Sequence, residues 1–166
     1  MAKDSVLNAL AMGIKGEMEG ITVYNGAAAL CDGEVKAFFL KQAEEEKLHY
    51  NWLLEFYKKL TEDEFSMLSF AVNVSKPAAG STIITDDFLR MIGEDQHLST
   101  AITTAILLEY SAIEHYRKSA EEANDPAVKE LFDFLCDWEK DHYDELLKIQ
   151  EESRQYWFDA QEFVPF

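Results

Sequence analysis

Along most of this chain apolar residues recur three and four apart with polar residues between them, a period that predicts helices rather than strands. A first long helix is expected from about Ser5, an N-cap residue, to Leu30, with Leu7, Leu10, Ile14, Ile21, Tyr24 and Ala28 on one stripe. Cys31-Asp32-Gly33 reads as a tight turn, and a second helix then runs to about Leu60 with Val35, Phe39, Leu53, Phe56 and Leu60 facing one way. A third long helix ends near Ala123. Asn124-Asp125-Pro126 starts the fourth, with Asp as N-cap and Pro at the first helical position. It continues to about Arg154 and turns Val128, Leu131, Phe132, Leu135, Leu146 and Ile149 inward.

Between the second and third helices the period fails. Thr61-Glu62-Asp63-Glu64 reads as a capping box for a short helix, and Asn73 to Thr85, with Pro77 and Gly80, as irregular chain. Asp86 and Asp87 open a short helical segment, Phe88 to Ile92, broken or bent at Gly93. Two short-looped hairpins joined by one long crossover is the ferritin-like arrangement. The expected fold is therefore all-α, a four-helix bundle over residues 1–154. Residues 155–166, with Tyr156, Trp157, Phe158, Phe163, Val164 and Phe166, read as an aromatic tail that packs on the bundle or on a partner subunit.

Composition narrows the function classes. A chain of 166 residues, 48% hydrophobic, buries the core of one domain without staples. No run of about 18 apolar residues occurs, and the start has no charged and apolar leader pattern, so a cytoplasmic protein without membrane contact is expected. A net charge of −17, with 15 basic against 32 acidic residues, argues against nucleic acid and anionic membrane alike. Cys31 and Cys136 form no C-x-x-C pair and read as small buried apolar side chains in a reducing compartment.

The inward stripes are interrupted by charged residues, and the interruptions repeat. Glu17 and Tyr24, followed by the Glu46-x-x-His49 pair, return as Glu109 and Tyr116 followed by Glu139-x-x-His142. Around them Ile21 aligns with Ile113, Ala28 with Ala120, Val35 with Val128, Phe39 with Phe132 and Tyr50 with Tyr143, with one gap near Asp32. The chain thus reads as two similar helical hairpins, packed about a pseudo-twofold axis. At ~1.5 Å per residue, Glu17 and Glu46 both lie roughly 20 Å from their turn, and Glu109 and Glu139 lie at the matching depth of theirs. Within each Glu-x-x-His the two side chains share one helix face and can reach neighbouring coordination positions.

Four buried ionised glutamates without partners would cost several kcal/mol each. Two divalent cations balance the four carboxylates, and neutral histidines leave the cluster electroneutral. Carboxylates with imidazoles and no thiolate suit iron or manganese better than copper, and zinc also satisfies this chemistry. Tyr24 and Tyr116 are placed to hydrogen-bond carboxylate oxygens around the metals, or else serve as ordinary core tyrosines. The bland alternative puts every Glu on a solvent-facing edge and leaves the repeat as a record of duplication alone. His97 follows Glu94 at the same spacing, but about 18 Å of helix separates it from Glu109, so it reads as solvated. His115 reads as a surface histidine.

At these residues the chain resembles the rubrerythrin branch of the ferritin-like di-iron carboxylate proteins, from about Ser5 to Arg154. The resemblance implies that Glu17, Glu46 and His49 serve one iron and Glu109, Glu139 and His142 the other, with one pair of glutamates bridging. It implies reduction of hydrogen peroxide or dioxygen, and a homodimer. Rubrerythrins proper add a rubredoxin domain with two C-x-x-C pairs, absent here, so electrons are expected from an external donor such as a rubredoxin-like protein. They also carry a further Glu one turn after the third-helix ligand; Ala112 stands at that position. Two other functions are compatible with the same residues: a ferroxidase or iron-storage protein, and a non-catalytic helical interaction bundle.

Overall fold

The computed structural model describes residues 1–62 and 84–162. Among them are five helices: α1 (Lys3–Ala28), α2 (Gly33–Thr61), α3 (Asp86–Glu94), α4 (Gln96–Glu122) and α5 (Pro126–Ala160). α1 packs along α2 and α4 along α5, forming two hairpins, and α1 packs across α4 to join them. The expected ferritin-like bundle is the observed fold.

The helix ends show which local signals decided. Asp125 caps α5, its carboxylate accepting from the backbone N–H groups of Ala127 and Val128, with Pro126 in the first turn. Asp95 caps α4 in the same way, accepting from His97 and Leu98. Such a cap is worth ~1 kcal/mol. At the first helix the expected cap is displaced: Ala2 stands at the N-cap, so Ser5 lies inside α1. The break before α4 falls at Asp95 rather than Gly93. Gly93 is instead a packing position, since a Cβ there would lie 2.5 Å from the Ser153 carbonyl and 2.7 Å from the Tyr156 Cβ. The fourth long helix continues past Arg154 to Ala160, because Tyr156 packs on the core and Trp157 donates to Gln96 Oε1 at 3.0 Å. α2 ends at Thr61 with Glu62 as its C-cap. The short helix expected from the capping box, most of the irregular stretch, and Phe163, Val164 and Phe166 lie outside the described residues.

Two apolar clusters fill the bundle. One gathers Tyr24, Phe38, Phe39, Phe88, Ile92, Ile102 and Ile149; the other gathers Leu10, Leu53, Phe56, Tyr116, Phe132 and Leu135. Each fully buried side chain of this size contributes ~1.5–3 kcal/mol, which sustains a charged layer between them. The inward stripes of α2 and α5 are buried as expected. On α1 the buried face is rotated: Leu7, Ile14 and Ile21 are only half-buried, while Gly13 and Gly20 lie inside. Gly13 makes room for Tyr116 of α4 and Leu53 of α2, Gly20 makes room for Glu46 of α2, and the larger residues lie at the rim. Both cysteines are buried free thiols.

Candidate metal centre

Four helices bring six residues to one level. Glu17, Glu46, His49, Glu109, Glu139 and His142 are each no more than 4% exposed, and their ligating atoms form two groups. Glu17, Glu46, His49 and Glu139 make one; Glu46, Glu109, Glu139 and His142 make the other, with all donor atoms in a group within 4.8 Å of one another. Glu46 and Glu139, the two Glu-x-x-His carboxylates, belong to both groups, whereas Glu17 and Glu109 are each peripheral to one. The reason is register: residues i and i+3 on α2 and α5 look across the axis at each other, and α1 and α4 each add one carboxylate from the side.

Both histidines turn Nδ1 inward. His49 Nδ1 lies 2.9 Å from Glu139 Oε1 and 3.5 Å from both Glu17 Oε2 and Glu46 Oε2. His142 Nδ1 lies 3.1 Å from Glu46 Oε1, 3.2 Å from Glu139 Oε2 and 3.9 Å from Glu109 Oε1. The tyrosines cross between hairpins: Tyr24 donates to Glu109 and Tyr116 donates to Glu17. Because α1 and α4 run antiparallel, each tyrosine is level with the glutamate of the opposite hairpin rather than its own.

Protonation follows from burial and crowding. Burial, then the charge of Glu139, pushes the Glu17 carboxyl well above the usual carboxylate range; burial and Glu46 do the same to Glu109. Burial would also raise Glu46, but its close approach to Glu17 and His142 holds it well below, and His49 holds Glu139 below against the effect of burial. Burial disfavours charge on both histidines, yet Glu139 and its neighbours raise both well above the ordinary imidazole value. Burial and the adjacent carboxylates push both tyrosines up, so they stay neutral donors. Glu17, Glu109, His49 and His142 are thus the groups whose hold on a proton is raised, and four protons there would balance the four carboxylates. Two divalent cations in place of four protons preserve that balance.

The residues fit a metal pair on a direct test. Glu46 Oε1, both oxygens of Glu139, His142 Nδ1 and both ring nitrogens of His49 are buried without a well-formed hydrogen bond. A buried polar group left in that state costs ~1–3 kcal/mol, and most of these atoms converge on the space between the two groups. Cations coordinated there would satisfy them.

Three residues off the sequence stripes complete the surroundings. Glu45 Oε2 accepts from His142 Nε2 at 2.8 Å and from Trp138 Nε1 at 3.1 Å, and Lys41 lies 3.6 Å from its other oxygen. Burial opposes ionisation of Glu45, but the contact with His142 brings it below the ordinary carboxylate value. Trp138 stands edge-on to His49 with ring centroids 4.8 Å apart, and Trp52 lies beside both. Glu45 immediately precedes a ligand candidate, about 100° round the helix, so periodicity leaves it off the inward face. The signal that could have found it is the repeat itself, where Glu45 aligns with Trp138. His97 is exposed, as expected. His115 is half-buried, its Nε2 2.9 Å from the Ala9 carbonyl, because α1 lies close against α4.

A bundle of two crossed hairpins with a buried Glu/His layer is a ferritin-like protein with the make-up of a di-metal carboxylate site. Residues 8–150 match the rubrerythrin family, and the chain belongs to it. No curated protein and no solved structure matches the chain.

Proposed function

We propose that the chain binds two iron ions through Glu17, Glu46, His49, Glu109, Glu139 and His142 and reduces hydrogen peroxide or dioxygen. The observation that carries this reading is the set of buried, unpartnered carboxylate and imidazole atoms at the centre of the bundle. When bound, an iron pair supplies the electrons for cleaving an oxygen–oxygen bond, and the protein supplies position and electrostatics.

The chain's own part is read from its contacts. Glu46 and Glu139 stand between both ligand groups and bridge them. Tyr24 and Tyr116 orient Glu109 and Glu17 from across the bundle and keep their phenolic protons. Glu45 fixes His142 with Nδ1 turned inward. Trp138 covers His49 and excludes water from that side. Re-reduction by an external donor such as a rubredoxin-like protein is part of the same reading. The reading extends to a cytoplasmic homodimer in which residues 1–154 form the bundle and 155–166, whose first six residues continue α5, lie against the bundle or the partner. No helix among the described residues is long and apolar enough to cross a membrane.

Metal analysis of anaerobically purified protein, followed by stopped-flow mixing of the Fe(II)-loaded chain with peroxide and separately with air-saturated buffer, tests the reading. About two metal ions per chain and faster oxidation by peroxide are expected. Manganese or zinc in place of iron would redirect the redox assignment, and faster oxidation in air would favour an oxidase or ferroxidase. A cage-sized native mass would favour iron storage. Fewer than one metal ion per chain would sink the metal reading altogether.

A further inference from the structure

A pocket of about 170 Å³ lies between α1 and α4 and reaches the Glu17, Glu46 and Glu109 edge of the metal centre. Its walls are made by subtraction. Gly13, Gly16 and Gly20 line it from α1 and Ala112 from α4, so backbone stands where side chains would otherwise meet. A Cβ on Gly16 would find no atom within 4 Å, whereas one on Gly13 would press on the Tyr116 ring at 3.0 Å. Gly13 therefore lets Tyr116 reach Glu17, and Gly16 leaves open space.

Chemistry divides the pocket along its length. The walls are mostly apolar, with Met12 and Leu108 near the outside, while the deep end carries carboxylates and the Tyr116 hydroxyl. Glu46, 3% exposed, lines this end beside Gly20, with its Oε2 3.7 Å from where a Gly20 Cβ would stand. At the mouth Lys15 pairs with Glu19, which cancels the local charge. Peroxide or dioxygen would fill a small part of such a volume. An apolar cavity of about 150 Å³ accommodates a benzene ring.

We propose that this pocket binds a small, uncharged, mostly apolar organic molecule between α1 and α4, with any polar end turned toward Glu17, Glu46 and Glu109. Only the direction of that polar end rests on the di-metal reading. Occupancy of the pocket does not depend on it.

Fluorine NMR of fluorobenzene and 4-fluorophenol with the full chain, zinc-loaded and then Mn(II)-loaded, tests the proposal. Saturable binding of both probes is expected. Gly16→Leu should weaken it at least tenfold with metal content and helical circular dichroism unchanged, and Mn(II) should broaden the bound signal. A glycine-to-larger change inside a helix favours the helix, so the variant is expected to fold; a graded loss through Gly16→Ala and Gly16→Val carries the same test should the leucine unfold the chain. Equal binding to wild type and folded Gly16→Leu, or no binding to wild type up to probe solubility, overturns the proposal. Metal retained without probe binding defeats the pocket alone. Probe binding lost in Gly16→Leu with no metal in either protein upholds the pocket and defeats the metal reading.

Discussion

His49 and His142 occupy matching positions in the two hairpins, and their outward nitrogens meet opposite surroundings. His142 Nε2 reaches the Glu45 carboxylate at 2.8 Å, while His49 Nε2 is buried with no hydrogen-bond partner. The difference comes from an exchange between the repeats. Where the first hairpin has Glu45 and Trp52, the second has Trp138 and Glu145. The two tryptophans meet beside His49, with ring centroids 5.8 Å apart. The carboxylates turn the other way: Glu45 accepts from His142 Nε2 and Glu145 accepts from Gln42 at 3.0 Å. A carboxylate behind an imidazole raises its basicity and fixes its tautomer, and an aromatic wall does neither. The inner ligands are thus nearly symmetric and the layer behind them is not, so two metals bound here would be chemically inequivalent.

Removing the shared carboxylates should erase the comparison. Glu46→Ala with Glu139→Ala takes a donor pair from both groups at once, so metal binding is expected to vanish while helical circular dichroism stays near wild type. Two metals retained by that double variant would show that the site lies elsewhere.

The next largest effect is on pH. Metal binding must displace protons from Glu17, Glu109, His49 and His142, whose proton affinities are raised in the folded chain. Each displaced proton lowers affinity on the order of tenfold per pH unit of acidification. Titrations in buffers of different ionisation heat should reveal more than one proton released per metal pair, and release of none would contradict these protonation states. Stability without metal should run the opposite way. Groups with raised values bind protons more tightly folded than unfolded, so their contribution is full below the ordinary values, 4.5 for the two glutamates and 6.5 for the histidines, and fades as pH rises above them. Glu46 and Glu139, held low, contribute above 4.5 and lose that contribution only on further acidification. The metal-free chain is therefore expected to melt at lower temperature as pH increases from about 5 to 9, and an unchanged or rising melting temperature would count against the assignment.

Glu45→Gln separates the two sides. It keeps the shape but removes the charge behind His142, and loss of such a partner typically lowers metal affinity ~10–100-fold. Chelator competition should then resolve one weakened and one unaffected site. Equal weakening of both would mean that the asymmetry does not reach the metals. Trp138→Phe, which removes the indole donor to Glu45 and also thins the wall over His49, should weaken the His142 site by less than Glu45→Gln does.

The tyrosines give the most symmetric test. Tyr24→Phe and Tyr116→Phe each remove one hydrogen bond to a peripheral glutamate, worth about 1–3 kcal/mol at a charged or polarised acceptor. The two losses, read by thermal unfolding of the metal-loaded chain, should agree to within about 0.5 kcal/mol. A clear inequality would place the broken symmetry in the inner layer as well.

Sequence alone determined a large share of this protein. The period of α2 and α5 marked their buried faces, Asp125-Pro126 marked a helix start, and the doubled Glu, Tyr and Glu-x-x-His pattern named all six residues that meet at the centre. Those features are local or periodic, and a helix converts spacing along the chain directly into a shared face. Tertiary packing decided what spacing does not encode. The tyrosines bond across hairpins because antiparallel α1 and α4 set their level. Gly93 joins helices rather than breaking one, and Glu45 meets His142 and Trp138 because α2 and α5 bring them to the same level. In each case the partner comes from a distant part of the chain, and the choice depends on how closely two helices approach.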